Sequence, residues 1–286
     1  MKLINGKEIA SLIKEEIREK LNNLRISGII PSLAIVQVGN NPASNIYINN
    51  KIRLCKDLGC NAKLLKFSNE ITEDKLINEI RKLNRDEKIN GILVQLPLNK
   101  NINEETILEE IEPTKDVDCF TLTNVGKLWT AKKHEINLKN CTPMAVIELL
   151  KRSDIELDGK NVVIVGRSNI VGKPLASLFL LENSTVTICH SHTRNLQDIC
   201  SRADILVAAI GKPKFFTKEF IKDGADVIDV GINRLENNKI CGDVDIEDVK
   251  YKVDHITPVP GGVGPMTVMM VLQNLINLTV KQKGLK

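Results

Sequence analysis

Apolar residues recur along the first hundred positions with two different periods, and the switches between them mark out alternating helices and strands. Between positions 7 and 24, Ile9, Leu12, Ile13, Ile17, Leu21 and Leu24 share one face of a helical repeat with charges opposite, and Gly28 stops the pattern. Positions 33–38 form a short apolar run that predicts a buried strand. Helical spacing returns over 43–58 and ends at Gly59. A strand over 62–67, a helix over 72–83 opening on Thr72-Glu73-Asp74, and a buried strand over 91–96 follow. This alternation of strand and helix predicts a parallel sheet with helices on both faces.

The stretch 113–140 breaks the pattern. It is polar and rich in turn formers, and reads as a crossing between domains. Thr142 then stands as an N-cap with Pro143 at the first position of a helix reaching Leu150. A second alternation predicts strands at 162–165, 185–189, 204–209 and 226–230, with helices near 172–182, 195–201 and 217–222. The Pro/Gly-rich segment 258–265 reads as a crossing back, and 267–279 as a final amphipathic helix. The expected fold is therefore α/β in two domains. Residues 1–139, completed by the C-terminal helix 267–286, form one domain with a parallel sheet. Residues 140–266 form a Rossmann-type nucleotide-binding domain, with the active cleft between the two.

Composition narrows the function. The 286 residues carry 40 Lys and Arg against 36 Asp and Glu, a net charge of +4 scattered without a basic stripe, so no nucleic-acid partner is expected. No apolar run approaches a membrane span, and the first residues lack the apolar core of a secretory signal. Seven cysteines are scattered, with no Cys-x-x-Cys pair and no histidine spacing suited to zinc. No metal is expected, and the thiols suit a reducing, cytoplasmic location.

Two segments point to chemistry. Four apolar residues, 162–165, run into Gly166-Arg167-Ser168-Asn169-Ile170-Val171-Gly172 and then a helix. A glycine at a strand end and free N–H groups at the next helix start suit a pyrophosphate, although the same spacing serves a plain strand–turn–helix connection. The next strand ends in His190-Ser191-His192-Thr193-Arg194, where an NAD site usually carries an acid for the ribose hydroxyl. Its absence, with Arg167 and Arg194 nearby, favours the ribose phosphate of NADP. Tyr47 and Lys51, four residues apart, put a phenol and an amine on one helix face, as many solvent-exposed helices also do. Gln95 ends an apolar strand, where a ligand would bind but where a structural amide would also serve. Asp116 and Asp118 lie in the predicted crossing, as site acids or as turn formers.

Taken in order, these segments resemble the bifunctional methylene-tetrahydrofolate dehydrogenase/methenyl-tetrahydrofolate cyclohydrolase family. The matching residues are 43–51, Gly91 to Leu98, Pro113-Thr114-Lys115-Asp116-Val117-Asp118, Cys141-Thr142-Pro143, Gly166 to Pro174 and Ile256 to Thr267. They span nearly the whole chain, and the last two are long and specific. The resemblance implies hydride transfer from the one-carbon bridge of methylene-tetrahydrofolate to NADP, followed by hydrolysis to 10-formyl-tetrahydrofolate. It implies that Lys51 serves the hydrolysis, that Tyr47 positions the folate, and that Gln95 bonds near Lys51. Asp118 would bind the pterin amino group, and Pro260, Gly261 and Gly262 would border the folate. Gly166, Arg167, Ser168, Ser191 and Ile232 would meet the cofactor. The family is typically a homodimer. Cys119 and Ala145 stand where it often has glycine, and His192 lies at a variable basic position. A dehydrogenase that has lost the hydrolase half, one using NAD, and a folate- or nucleotide-binding regulator without turnover are the competing readings; retained Lys51, Tyr47 and Gln95 argue against the first, and the missing acid against the second.

Overall fold

The computed structural model describes residues 1–130, 132–236 and 239–285. The chain opens with β1 (Lys2–Leu3) and α1 (Gly6–Ile26), then alternates through β2 (Ser32–Val38), α2 (Pro42–Leu58), β3 (Asn61–Phe67), α3 (Glu73–Arg85) and β4 (Gly91–Val94). Short helices α4 (Glu104–Glu109) and α5 (Leu122–Thr130) follow, then a 3-10 turn at Lys133–Glu135. From α6 (Cys141–Lys151) a second alternation runs through β5 (Asn161–Val165), α7 (Gly172–Leu181), β6 (Thr185–Cys189), α8 (Leu196–Cys200), β7 (Ile205–Ala208) and β8 (Ala225–Asp229). An antiparallel pair, β9 (Asn233–Arg234) and β10 (Ile240–Cys241), precedes α9 (Ile246–Val249), β11 (Val253–Ile256) and α10 (Val263–Gln282).

Two compact units result. One comprises Ile13–Cys141 with Val271–Lys286, the other Met1–Leu12 with Thr142–Met270. The first twelve residues thus group with the nucleotide-binding half of the sequence rather than with 13–139. The reason is local: β1 adds as a parallel edge strand to β11.

In the first unit three parallel strands lie in the order β3-β2-β4. Every residue of β2 is buried, as expected of a strand covered on both faces. The chain steps outward from β2 to β3 and then back past β2 to β4, so right-handed crossovers place α2 and α3 on opposite faces. Ala34, Val36, Val38, Ile92 and Val94 pack with Leu76, Ile80 and Leu83 of α3. Thr72 caps α3, its side chain accepting from the Lys75 N–H. On the opposite face Gly91 leaves room for Val117 and Leu275, since a Cβ there would lie 2.4 Å from Val117.

The second unit holds a six-stranded sheet, all parallel, in the order β1-β11-β8-β7-β5-β6. Val163, Val165, Leu206, Ala208 and Val227 pack beneath Phe216, Val244 and Val249. The chain leaves β5 toward β6 and returns to the other side of β5 as β7. That reversal makes the carboxyl ends of β5 and β7 a topological switch point.

Several boundaries differ from expectation. Cys141 is already the first residue of α6, so Thr142 lies inside the helix and is not its cap. The helix expected over 217–222 is a 3-10 turn, Lys218–Phe220. α10 begins at Val263, four residues early, because Pro265 falls in its first turn, where a missing N–H costs nothing. α10 is long and apolar enough to cross a membrane, but most of it is buried inside the protein as a core helix.

Candidate active site

The sheet of the first unit delivers Lys51 and Gln95 to one place. Gly39, at φ 76°, turns the chain out of β2, and Pro42 opens α2. Tyr47 and Lys51 then stand one turn apart on that helix. Gln95 directly follows β4, and its N–H donates to the Val36 carbonyl at 2.9 Å, continuing the ladder by one residue. Its side-chain Nε2 donates to the Leu96 carbonyl at 2.8 Å, which leaves Oε1 to accept from Lys51 Nζ at 3.1 Å. The amide thus bonds a loop, as the structural alternative expected, and also faces the Lys51 amine. Partial desolvation raises the pKa of the Tyr47 phenol, which stays protonated around neutrality.

The two acids of the predicted crossing separate into different roles. Residues 115–117 run beside β4, with an N–H from Ile92 to the Lys115 carbonyl and one from Val117 back to Ile92. Asp116 is buried and accepts from the Thr121 N–H at 2.9 Å and the Asn124 amide at 3.0 Å, so it is the turn former. Asp118 instead lies within the field of Lys51. Burial raises its pKa, and Lys51 offsets part of that rise; Asp116 adds to it, while a hydrogen bond from the Cys141 thiol opposes it. Cys119 takes φ 60°, the left-handed region glycine enters freely. Its carbonyl accepts from the buried Asn140 amide at 2.8 Å.

Two supporting residues escaped the sequence reading. Cys141 touches Asp118, and its thiol is held well above the ordinary range, first by burial and then by the Asp118 charge. Asn274 of α10 donates to the carbonyls of Val117 and Lys139, each at 2.8 Å. Cys141 stood in a motif but without a role. Asn274 gave no signal, because it stands beside Gln273 and near Asn277, and the sequence does not separate a buried amide from an exposed one.

In the second unit the residues expected at the cofactor all follow carboxyl ends of parallel strands. Gly166 ends β5 at φ 139° with its Cα pressed on Ala209, where a Cβ would lie 2.3 Å from the carbonyl oxygen. Gly172 opens α7, and a Cβ there would lie 2.0 Å from the Gly166 oxygen. Only two glycines let the turn close so tightly. Arg167, Ser168, Asn169 and Ile170 project into solvent between them. The Ser168 hydroxyl accepts from the Val171 N–H at 3.1 Å, while the first turn of α7 has no side-chain cap. Ser191 lies just beyond β6 in a turn closed by the His190 N–H to the Thr193 hydroxyl at 2.9 Å, with Arg194 exposed beside it. Ile232 follows β8 and is half exposed. A tight glycine turn, an uncapped helix start and a ribose end without carboxylate fit an NADP molecule.

The Pro258–Gly262 segment is equally close-packed. Gly261 takes φ 115°, and Gly6 at the start of α1 lies so near Gly262 that a Cβ would be 1.9 Å from its oxygen. Pro260 is joined through a cis peptide bond to Val259, as Pro97 is to Leu96.

Comparison with known proteins agrees with this geometry. Residues 4–118 match the tetrahydrofolate dehydrogenase/cyclohydrolase catalytic domain, and residues 140–283 match the NAD(P)-binding domain of the same family. The bifunctional protein FolD of Caldicellulosiruptor saccharolyticus is 55% identical over 278 residues, covering 97% of this chain and 100% of that protein. The crystal structure of the bifunctional enzyme FolD from Campylobacter jejuni superposes with a TM-score of 0.95 at 43% identity, covering 99% of each chain. That of the Trypanosoma brucei methylenetetrahydrofolate dehydrogenase-cyclohydrolase, complexed with NADP and an inhibitor, does so at 0.92 and 36%, covering 98% of each. The chain belongs to the tetrahydrofolate dehydrogenase/cyclohydrolase family.

Proposed function

We propose that this protein oxidises methylene-tetrahydrofolate with NADP and then hydrolyses the methenyl product to 10-formyl-tetrahydrofolate. The observation that carries the reading is the Lys51–Gln95 hydrogen bond at the end of a buried parallel strand, with Asp118 in the Lys51 field. NADP, when bound, accepts the hydride from the one-carbon bridge. Gly166, Arg167 and Ser168 hold its phosphates, and Ser191 and Ile232 border it. Oxidation then depends on placement rather than on a side-chain acid or base. Tyr47 packs on the folate, Asp118 takes the pterin amino group, and Pro260, Gly261 and Gly262 border the ring system.

Hydrolysis needs a proton acceptor. Water adds to the bridging carbon of the methenyl cation as Lys51, in its amine form, takes the proton. The ammonium then returns it to the nitrogen that departs, while the new hydroxyl gives its proton to solvent and becomes the formyl carbonyl on the other nitrogen. The net reaction consumes one water and releases one proton. Gln95 Oε1 orients Lys51 throughout, since it accepts from the nitrogen in either form.

The protein acts as a homodimer in the cytoplasm; seven free cysteines, six of them buried, support a reducing compartment. The test follows NADPH and methenyl absorbance together after methylene-tetrahydrofolate is added with NADP, with NAD in a parallel reaction. NADPH formation without lasting methenyl build-up, and slower turnover with NAD, is the expected result. No reduction of either nucleotide would refute the reading.

A further inference from the structure

Asp229 at the end of β8 and Asp243 just after β10 are two buried acids that tie together segments far apart in sequence. Asp243 is fully buried, and among the described residues no cationic side chain bonds to it. Its Oδ2 accepts from the N–H groups of Ile210 at 2.7 Å and Gly211 at 2.9 Å. Its Oδ1 accepts from the Lys212 N–H at 2.9 Å and the Asn233 side-chain amide at 2.8 Å. Asp229, at the end of β8, accepts in turn from the N–H groups of Gly231 at 3.0 Å, and of Asp243 and Val244 at 2.9 Å each. Gly231 abuts the Asp243 carboxylate, and Gly242 abuts that of Asp229; a Cβ would lie 2.2 Å and 1.8 Å from the facing oxygens.

The segment after β7 is zipped to the same strip. Lys214 N–H donates to the Gly242 carbonyl at 3.1 Å, Phe216 N–H to that of Asp243 at 2.9 Å, and Asp245 N–H back to Phe216 at 2.9 Å. Ala209, which opens this segment, is the residue against which Gly166 is pressed. The loop therefore forms one wall of the switch point between β5 and β7, and Ile232 lies between Gly231 and Asn233, both in contact with Asp243.

We propose that Asp243 is a positioning residue for the dehydrogenase step: its carboxylate sets the backbone of Ile210–Lys212 and the Ile232 turn against which NADP binds. The inference rests on the NADP-dependent activity proposed above. A carboxylate is the one side chain that accepts at both oxygens and donates at neither. An amide there fails in either orientation. Its NH₂ would face the Lys212 N–H in one, and those of Ile210 and Gly211 in the other.

The experiment is Asp243→Asn in the full-length protein. Wild type, assayed beside it, tests the activity itself. The variant is expected to raise KM for NADP roughly tenfold or more, the equivalent of one lost charge-assisted hydrogen bond. Hydrolysis of added methenyl-tetrahydrofolate, assayed without nucleotide, and KM for the folate are expected to stay within about twofold of wild type, a margin set by the same free-energy scale. A folded variant with unchanged KM for NADP, or with both activities lowered in proportion, overturns the proposal. Gly211→Ala covers the case of a variant that does not fold. Gly211 has φ 64° and open space around it, so alanine strains the loop backbone without a clash. It is expected to weaken NADP binding severalfold while hydrolysis holds, and unchanged NADP binding would overturn the proposal.

Discussion

Lys51 donates to a neutral amide and sits in the field of a partly buried acid. Gln95 fixes where the nitrogen points. Asp118 gains from its charge, because burial alone would push that carboxyl further up. Lys51→Met keeps the stem and removes the cation, so the Asp118 carboxyl is expected to titrate at a higher pH than in wild type. A carbon-13 titration of the labelled side chain reads this directly; an unmoved Asp118 would mean that Lys51 does not bear on it. Much of this was legible in advance. The helical spacing of Tyr47 and Lys51 and the odd amide at the end of an apolar run were visible in the sequence. Residue type alone did not partition Asp116 and Asp118, which only the resemblance separated; their partners, Thr121 and Asn124 for the first and Lys51 for the second, tell them apart in the structure.

At the scale of elements, the tightest constraint is the turn between β5 and α7. Gly172→Ala would set a Cβ 2.0 Å from the Gly166 oxygen and 3.0 Å from the Arg167 Cα, both backbone atoms that cannot swing aside. The expected cost is about 2 kcal/mol of stability, as for other overpacked sites. NADP affinity should fall with it, and urea unfolding beside a nucleotide titration measures the two. Strands buried on both faces, such as β2 and β5, were readable because every position is apolar or nearly so. β11 was missed because its four residues place Asp254 and His255 between Val253 and Ile256, and β1 because two residues carry no period. Asp243 was invisible for another reason. In Gly-Asp-Val it looks like a turn former, and the backbone N–H groups it collects lie more than thirty positions away.

For the molecule as a whole, Asp229 couples folding to pH. Burial pushes its carboxyl from 3.8 up to about 6, against the pull of three N–H groups and with the push of Asp243. The native state therefore holds this proton more tightly than the unfolded chain. Its contribution to stability is full below about pH 4 and is lost as pH rises through about 6, on the order of 3 kcal/mol in all. Unfolding free energies at a series of pH values should show that slope in wild type and lack it in Asp229→Asn; equal slopes would refute the assignment. Both proposed activities draw on residues spread over the whole chain, from Tyr47 to Gly262, yet the hydrolytic proton transfer is assigned to a single amine. The most direct test adds methenyl-tetrahydrofolate to wild type and to folded Lys51→Met, and follows loss of its absorbance, with NADP-dependent oxidation measured alongside. Lys51→Met should clear methenyl at least about a hundredfold more slowly, the scale of one general acid/base, while still reducing NADP and letting methenyl accumulate. Clearance at the wild-type rate would contradict the account.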